Sequence, residues 1–253
     1  SYMVDTEAPR VDNFTLSDTA LKIGDNATVN LGFSEAVIEF IAADITNPNG
    51  LLPSMTSTDN ITWTGTFTPD NNTEVASNNF SLTANSYTDL AGNAGPSETT
   101  ANYEVETRAP TVSSIAITSA AGIQIGCDNS FVNAGDVVSV TVTFSENSTV
   151  TGTPQLTLAV GEDNHTADYT SSGSGATTKV FKYTIQAGDN DTNGISIRAN
   201  ALALNSGTIM DPAGNNATLT HIAVLDNSSY MVDTEAPRVD NFTLSDTALK
   251  IGD

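Results

Sequence analysis

The sequence predicts an all-β chain that folds into two antiparallel β-sandwiches in tandem, with Greek-key connections. Its 253 residues suffice for about two domains, each with its own core. Apolar and polar residues alternate in short runs, and Gly, Asn, Asp or Pro residues end those runs. Strands of this kind have one apolar face, which a second sheet must cover.

The clearest strands lie at 27–33 and 61–67 in the first half of the chain and at 138–144 and 180–185 in the second. In the first and third of these runs every second residue is apolar, as expected for strands that are buried on one face. Trp63, the single tryptophan, is predicted to lie in the core between the sheets.

The charge of the chain restricts its partners. Lys and Arg total 8 against 30 Asp and Glu, which gives a net charge of −22. This charge disfavours binding to nucleic acids or to anionic lipids and makes cations the natural partners. No run of 18 apolar residues is present, so we expect no membrane insertion in this segment.

Catalytic signatures are weak. The chain has two histidines, His165 and His221, and neither lies near a nucleophile motif or a zinc-ligand spacing. The single cysteine, Cys127, allows no intrachain disulfide and is interpreted as a small, partly buried apolar residue. We therefore predict that the protein is not an enzyme.

A long exact repeat organises the chain. Residues 1–25 recur without a change as residues 229–253, which are 228 residues further on. The simplest interpretation is an array with a unit of 228 residues, of which this chain holds one unit and the start of the next.

A shorter motif marks the start of each predicted domain. Segments of the form Val-Asp/Glu-Thr-x-Ala-Pro occur at 4–9, 105–110 and 232–237. We therefore divide the chain into domain A (1–106), domain B (107–232) and the start of a second domain A (233–253).

Longer motifs point to a known family. Asp-Thr-Glu-Ala-Pro at 5–9 leads to Leu-Lys-Ile-Gly-Asp at 21–25, Phe-Ser-Glu-Ala-Val at 33–37 and Asp-Leu-Ala-Gly-Asn at 89–93. With these motifs the chain resembles the bacterial immunoglobulin-like repeats of large secreted adhesins, including the extender regions of RTX-type adhesins. Domain B resembles a sister type, for example through Ala-Gly-Asp at 134–136.

The resemblance implies two tandem immunoglobulin-like Greek-key sandwiches in an extended array at the cell surface or outside the cell. It implies a role in cell adhesion as a spacer that holds a terminal binding domain away from the cell. Neighbouring repeats would then be the main partners, and calcium at the domain junctions would stiffen the array.

Calcium requires about six to eight oxygen ligands, which this acidic chain offers in quantity. The linkers and the loops at the ends of the sandwiches supply the candidate metal ligands, which are Asp5, Glu7, Glu35, Asp89, Glu146, Asp211, Asp233 and Glu235. In the alternative interpretation Asp89 and Asp211 only cap turns, and Glu35 and Glu146 are only solvated. Arg108 would oppose a cation at the A-to-B junction.

N-glycosylation is a second possibility, because the chain contains 11 Asn-x-Ser/Thr sequons. The alternative is a surface that is rich in Asn and Thr for other reasons. The acceptor residues would be Asn13, Asn26, Asn60, Asn71, Asn79, Asn147, Asn164, Asn190, Asn216, Asn227 and Asn241.

Two alternatives to a covalent spacer remain. In the first, the chain is a subunit of an extracellular filament, and residues 233–253 donate a strand, Val239–Leu244, to an identical subunit by β-augmentation. In the second, the chain is a ligand-binding module, which would require clustered exposed aromatic residues. Aromatic residues make up only 6% of the chain, and most of them alternate into predicted cores, so we rank this function last.

Overall fold

The computed structural model describes residues 4–120, 131–170 and 176–243; Cys127 lies outside these ranges. Within them the chain forms strands and two short 3-10 helices, Ala42–Asp44 and Ser228–Tyr230, and no α-helix. The predicted all-β fold class is confirmed. No helix among these residues has the length and apolar character required to cross a bilayer.

Domain A is built from short strands in four small sheets, the largest of which has the order β1-β3-β7-β6. The strands of domain A are β1 (Val11–Leu16), β2 (Ala20–Lys22), β3 (Ala27–Phe33), β4 (Val37–Ile38), β5 (Ile45–Thr46), β6 (Gly50–Leu51), β7 (Thr62–Pro69), β8 (Glu74–Asn78), β9 (Ser81–Leu82), β10 (Thr88–Asp89), β11 (Glu98–Thr99) and β12 (Tyr103–Glu106).

The core of domain A follows the predicted alternation. In β3 the residues Ala27, Val29, Leu31 and Phe33 are buried, while the residues between them are exposed or half-buried. Trp63 is only half-buried, and its ring packs edge-to-face on Phe40 with the ring centroids 4.9 Å apart. The tryptophan therefore covers one side of the core rather than its centre.

Domain B is dominated by one six-stranded sheet with the order β13-β15-β19-β18-β17-β21. The strands of domain B are β13 (Val112–Ala120), β14 (Phe131–Val132), β15 (Val137–Phe144), β16 (Thr149–Thr151), β17 (Gln155–Val160), β18 (Asp163–Thr170), β19 (Thr178–Thr184), β20 (Asn190–Asp191), β21 (Leu202–Ala203), β22 (Thr208–Met210) and β23 (Met231–Asp233).

The predicted strands of domain B are also present. In β15 every second residue, from Val138 to Phe144, is buried. The buried face of β19 begins with a charged residue, Lys179, which is 1% exposed. The Nζ atom of Lys179 donates hydrogen bonds to the carbonyls of Ser148 (2.9 Å) and Ala176, and burial lowers the pKa of this lysine.

Both domains end in the same way. In domain A the last strand, β12, pairs in parallel with β2 and antiparallel with β8. In domain B the last strand, β23, pairs in parallel with β14 and antiparallel with β20. The chain therefore leaves each sandwich next to the turn that follows its second strand.

One predicted strand is absent. Residues 239–243, which cover the described part of the predicted strand Val239–Leu244, form no strand and no strand pairing with the other described residues. The physical reason lies in the partner strand: the identical residues 11–15 pair with β3, and residues 244–253 contain no copy of the β3 sequence.

Candidate metal centres at the domain junctions

Each linker begins with an acidic residue in the same local geometry. Glu106 ends β12, Asp233 ends β23, and Asp5 holds the corresponding place before domain A. The backbone N–H two residues later donates to this carboxylate in all three linkers, at 3.1 Å for Asp5, 2.9 Å for Glu106 and 2.9 Å for Asp233. The three acidic residues thus share the same local hydrogen bond.

The threonine that follows the acidic residue ties the linker to the domain it leaves. Thr107 donates from Oγ1 to the carbonyl of Asp70 at 2.6 Å and from its N–H to the carbonyl of Thr73 at 2.7 Å. Thr234 donates from Oγ1 to the carbonyl of Asp189 at 2.9 Å. The linker thus belongs to the preceding domain up to its threonine.

The proline of the A-to-B linker already belongs to domain B. The carbonyl of Pro110 accepts the N–H of Thr218 at 2.8 Å, and the N–H of Thr111 donates to Oγ of Ser145 at 3.0 Å. Only Arg108 and Ala109 lie between the residues held by domain A and those held by domain B.

The Asp-x-Ala-Gly-Asn motifs form two equivalent turns. In domain A, Oδ1 of Asp89 accepts the N–H groups of Ala91 and Asn93 at 2.8 Å each, and Oδ2 accepts Nδ2 of Asn93 at 2.7 Å. In domain B, Asp211 accepts the backbone N–H and Nδ2 of Asn215 at 2.7 and 2.8 Å. Both aspartates therefore cap turns, as the alternative interpretation expects.

Burial opposes ionisation of Asp89, but its hydrogen bonds outweigh burial. The donors are the side chain of Asn93 and the backbone N–H groups of Asn93, Ala91 and Gly92, and together they lower the pKa of Asp89. The buried carboxylate of Asp89 is therefore charged, and its role in the turn does not prevent it from also facing a cation.

The first acidic cluster lies at the start of domain A. Asp5, Glu35 and Asp89 each offer a carboxylate oxygen, and these oxygens lie within 4.8 Å of one another. Burial and the negative charges of Asp5, Asp89 and Glu7 raise the pKa of Glu35. The carboxylate of Glu7, a predicted ligand, is not part of this cluster and is exposed.

The second acidic cluster lies at the A-to-B junction and consists of Glu106, Glu146 and Asp211, again with oxygens within 4.8 Å. It lines a cleft of about 560 Å³ between the two domains. Burial raises the pKa of both glutamates, and the neighbouring negative charges raise it further. Oε1 of Glu146 is buried and accepts no hydrogen bond from the described residues.

Arg108 distinguishes the second cluster from the first. It occupies the position of Glu7 and Glu235, forms an ion pair with Glu74, and places its Nε 3.8 Å from Oε1 of Glu146. Its guanidinium thus bridges the two domains and lowers the pKa of both Glu106 and Glu146, although not enough to cancel the rise.

The structure joins some predicted ligands and separates others. Asp5, Glu35 and Asp89 meet as one set, and Glu146 and Asp211 meet as another. Glu106 was not predicted as a ligand, because Arg108 dominated the interpretation of that linker. The signal that identifies Glu106 is its alignment with Asp5 and Asp233.

The third predicted junction is present only in part. Asp233 and Glu235 are exposed and line a cleft of about 390 Å³ at the end of domain B. By the repeat, the counterparts of Glu35 and Asp89 would belong to the domain that follows.

A hydrogen bond joins the two domains beside the second cluster. Asn215, which is 3% exposed, donates from Nδ2 to the carbonyl of Glu106 at 2.8 Å. Its Oδ1 accepts the backbone N–H of Ile23 at 2.9 Å. One side chain of domain B therefore contacts both the last strand and the second-strand turn of domain A.

The sequons are mostly accessible. Ten of the 11 acceptor asparagines are exposed. Asn227 is the exception: it is half-buried, and its Oδ1 accepts the N–H of Ser229 at 3.0 Å.

Both histidines take part in structural hydrogen bonds. Nε2 of His221 accepts the N–H of Ala201 at 2.8 Å, and its Nδ1 donates to the carbonyl of Ile222 at 2.8 Å. Nδ1 of His165 lies 2.8 Å from the hydroxyl of Tyr183, which donates to Asp189. These contacts fix the two rings within domain B.

Comparisons with known proteins give two findings. Residues 5–105 match the bacterial Ig-like domain family, whose members are in general non-enzymatic structural modules. A solved structure titled "Titin Ig tandem domains A164-A165" is 11% identical, with 84% of this chain and 97% of that chain covered and a TM-score of 0.24. A search of curated proteins gives no match. The predicted resemblance to bacterial immunoglobulin-like repeats is confirmed over residues 5–105, which match that family, and the described residues form an all-β structure.

Proposed function

We propose that this chain is a spacer segment of a repetitive extracellular adhesin or surface fibre. Its function is to project a binding domain and to resist bending. The observation that carries the proposal is the A-to-B linker, in which Arg108 and Ala109 alone separate the anchor of domain A at Thr107 from the anchor of domain B at Pro110.

Few free residues mean few bending positions. Thr107 is buried and held by the loop at 70–73, and Pro110 is buried with a fixed backbone φ. Asn215 adds a contact between domains that lies away from the linker itself. Two separate points of attachment restrict rotation of one sandwich about the other.

The repeat allows stiff pairs of domains to be joined into a long array. Asp233 and Thr234 leave domain B as Glu106 and Thr107 leave domain A, and residues 233–253 are identical to residues 5–25 of domain A. An array of such units lengthens by a fixed step with each repeat, because each unit adds the same two domains and the same two linkers.

We further propose calcium as a ligand of the acidic clusters. All three donors of each cluster are carboxylates, which suit a hard cation, and Ca–O distances of about 2.3–2.6 Å allow ligand oxygens to lie ~5 Å apart. The buried Oε1 of Glu146, which accepts no hydrogen bond from the described residues, fits a cation as its partner. A bound cation would neutralise carboxylates that come from both sides of a junction.

The proposed ligands of the first site are Asp5, Glu35 and Asp89, and those of the second are Glu106, Glu146 and Asp211. At the third junction Asp233 would supply the corresponding ligand. Because Arg108 already offsets part of the charge at the second site, we expect this site to bind calcium more weakly than the other two.

Solution scattering of the full chain, with calcium and with a chelator, tests the spacer function. We expect a maximum dimension that matches two sandwiches placed end to end in calcium, and a modest decrease or a broader distribution with the chelator. A compact or freely jointed shape under both conditions would reject the spacer.

The filament is a second candidate, and one observation favours it. Val239 and Phe242 are 82% and 87% exposed, although their counterparts at 11 and 14 pack in the core of domain A. An unpaired apolar segment can add to the sheet of an identical subunit. Light scattering separates the two candidates: a monomer at all concentrations supports the covalent spacer, and ordered oligomers support the filament.

We also propose glycans on the exposed sequons if the source cell carries out N-glycosylation, because a surface fibre benefits from a solvated coat. The mass of the intact protein purified from its source tests this: a series of masses that differ by sugar units supports the proposal, and the unmodified polypeptide mass contradicts it.

A further inference from the structure

Asn93 and Asn215 occupy equivalent turns, and this equivalence reveals how one repeat unit contacts the next. Nδ2 of Asn93 donates to Oδ2 of Asp89 at 2.7 Å and to the carbonyl of Asp5 at 3.3 Å. Nδ2 of Asn215 donates to Oδ2 of Asp211 and to the carbonyl of Glu106, both at 2.8 Å.

The hydrogen bonds of the two asparagine side chains differ at one atom, Oδ1. Oδ1 of Asn215 accepts the N–H of Ile23 in domain A at 2.9 Å. Oδ1 of Asn93 accepts no hydrogen bond from any residue that the structure describes. Oδ1 of Asn93 can therefore accept a hydrogen bond from a domain that precedes domain A.

The donor of the known contact also has a counterpart. Ile23 lies in a turn in which the N–H of Asp25 donates to the carbonyl of Lys22 at 3.1 Å and Gly24 has φ +87°. In domain B the N–H of Asp136 donates to the carbonyl of Asn133 at 3.1 Å and Gly135 has φ +94°.

Ala134 thus has the same position in the turn of domain B as Ile23 has in the turn of domain A. It is exposed, and its N–H has no hydrogen-bond acceptor within 4–120, 131–170 or 176–243. The two turns also have the same relation to the linker, since β2 pairs in parallel with β12 as β14 pairs in parallel with β23.

We infer that domain B docks onto domain A of the following unit through a hydrogen bond from the N–H of Ala134 to Oδ1 of Asn93. The occupant of the exposed end of domain B is a second copy of domain A, which the exact repeat of residues 5–25 at 233–253 begins. The inference rests on the proposed tandem array and specifies the contact that fixes the angle between units.

The test uses this chain continued by a second copy of residues 26–253, so that residue 233 starts a complete domain A. Amide exchange of Ala134 of the first unit is followed by NMR in the extended chain and in the 253-residue chain. A hydrogen bond worth about 1.4 kcal/mol slows exchange about tenfold, so we expect that difference between the two chains.

The matched variants carry Asn93→Ala in one unit only. In the second unit the substitution should abolish the protection of Ala134 in the first. In the first unit the same substitution does the same damage to the turn but should leave that protection unchanged.

Equal exchange of Ala134 in both chains, or protection that survives Asn93→Ala in the second unit, would overturn the inference. Solution scattering of the same samples keeps the two proposals apart. An extended particle without protection of Ala134 leaves the spacer intact and removes the contact, whereas a freely jointed particle removes the spacer itself.

Discussion

Phe14 and Phe242 occupy the same position in two identical 25-residue sequences, yet Phe14 is 7% exposed and Phe242 is 87% exposed. Phe14 lies in β1, which pairs with β3, and its ring packs edge-to-face on Phe80 with the centroids 6.4 Å apart. Phe242 follows the same local sequence but has no such partners among residues 4–120, 131–170 and 176–243. The environment of each phenylalanine is therefore set by tertiary contacts and not by neighbouring residues.

The pair gives a prediction with its own control. Phe14→Ala should destabilise domain A by about 3–5 kcal/mol, because it removes a buried aromatic ring from the core. Phe242→Ala should change stability by less than about 0.5 kcal/mol, because that ring is exposed. Urea unfolding of both variants checks this, and an equal cost for both would show that the C-terminal segment is packed in solution.

The strands were predictable where the alternation is strong and the partner strand lies within the chain. In β15 the apolar residues at 138, 140, 142 and 144 alternate with polar ones, and all four are buried. The strand expected at 239–244 fails because alternation supplies an apolar face but not a neighbouring strand. Lys179 shows the same limit, since local sequence gives no sign that a lysine lies on a buried face.

The acidic clusters were predictable only in part. The matching motifs of the two domains identified Glu35 with Glu146 and Asp89 with Asp211 as equivalent loop residues. Glu106 escaped prediction because Arg108 dominated the interpretation of its linker, although the alignment of Glu106 with Asp5 and Asp233 is visible in the sequence. The sequence does not show that the carboxylate of Glu106 meets Glu146 and Asp211, because that meeting depends on the contact between two domains. Whether these oxygens bind calcium stays a prediction.

Asn215 should be the residue that couples the two domains. Asn215→Ala removes the acceptor of the Ile23 N–H and the donor to the Glu106 carbonyl from a site that is almost fully buried. We expect domain B to lose about 1–3 kcal/mol of stability. We also expect the amide of Ile23 to exchange about tenfold faster.

Asn93→Ala is the control, because it disturbs the same turn in domain A without touching Ile23. Urea unfolding and site-resolved amide exchange provide the two measurements. If Ile23 stays protected in Asn215→Ala, the domains are held together by other contacts.

The guanidinium of Arg108 should offset part of the negative charge of the acidic cluster at the A-to-B junction, as a bound cation would. Arg108→Glu restores the residue type found at 7 and 235 and removes the ion pairs with Glu74 and Glu146. We expect calcium to bind this junction about tenfold more tightly, because a positive charge is replaced by a negative one near the cluster. Without calcium the variant should be less stable than the parent chain.

Calorimetric titration with calcium and thermal unfolding in a chelator measure these two effects. Arg198→Glu is the matched control, since Arg198 is exposed and forms no ion pair with any residue that the structure describes. A variant Arg108→Glu with unchanged calcium affinity would remove the second cluster from the proposed sites.

The raised pKa values of Glu106 and Glu146 predict how stability depends on pH. For both groups the folded state binds a proton more tightly than the unfolded state, and burial is the main cause. Without calcium, acidification from neutral pH through the raised pKa values should therefore stabilise the folded chain, down to the ordinary pKa of a glutamate. Below that range the gain is complete, and the lowered pKa of Asp89 then makes further acidification destabilising.

Calcium should reverse the first part of this profile, because a cation stabilises the charged carboxylates and its binding must displace their protons. Thermal unfolding between neutral and mildly acidic pH, with chelator and with calcium, measures how stability depends on pH in each condition. Calcium titrations in two buffers that differ in ionisation enthalpy count the protons released on binding. Glu146→Gln removes one titrating group at nearly constant shape and should reduce both the stabilisation by acid and the proton release. Calcium binding with no proton release at mildly acidic pH would show that the ion does not contact these two glutamates.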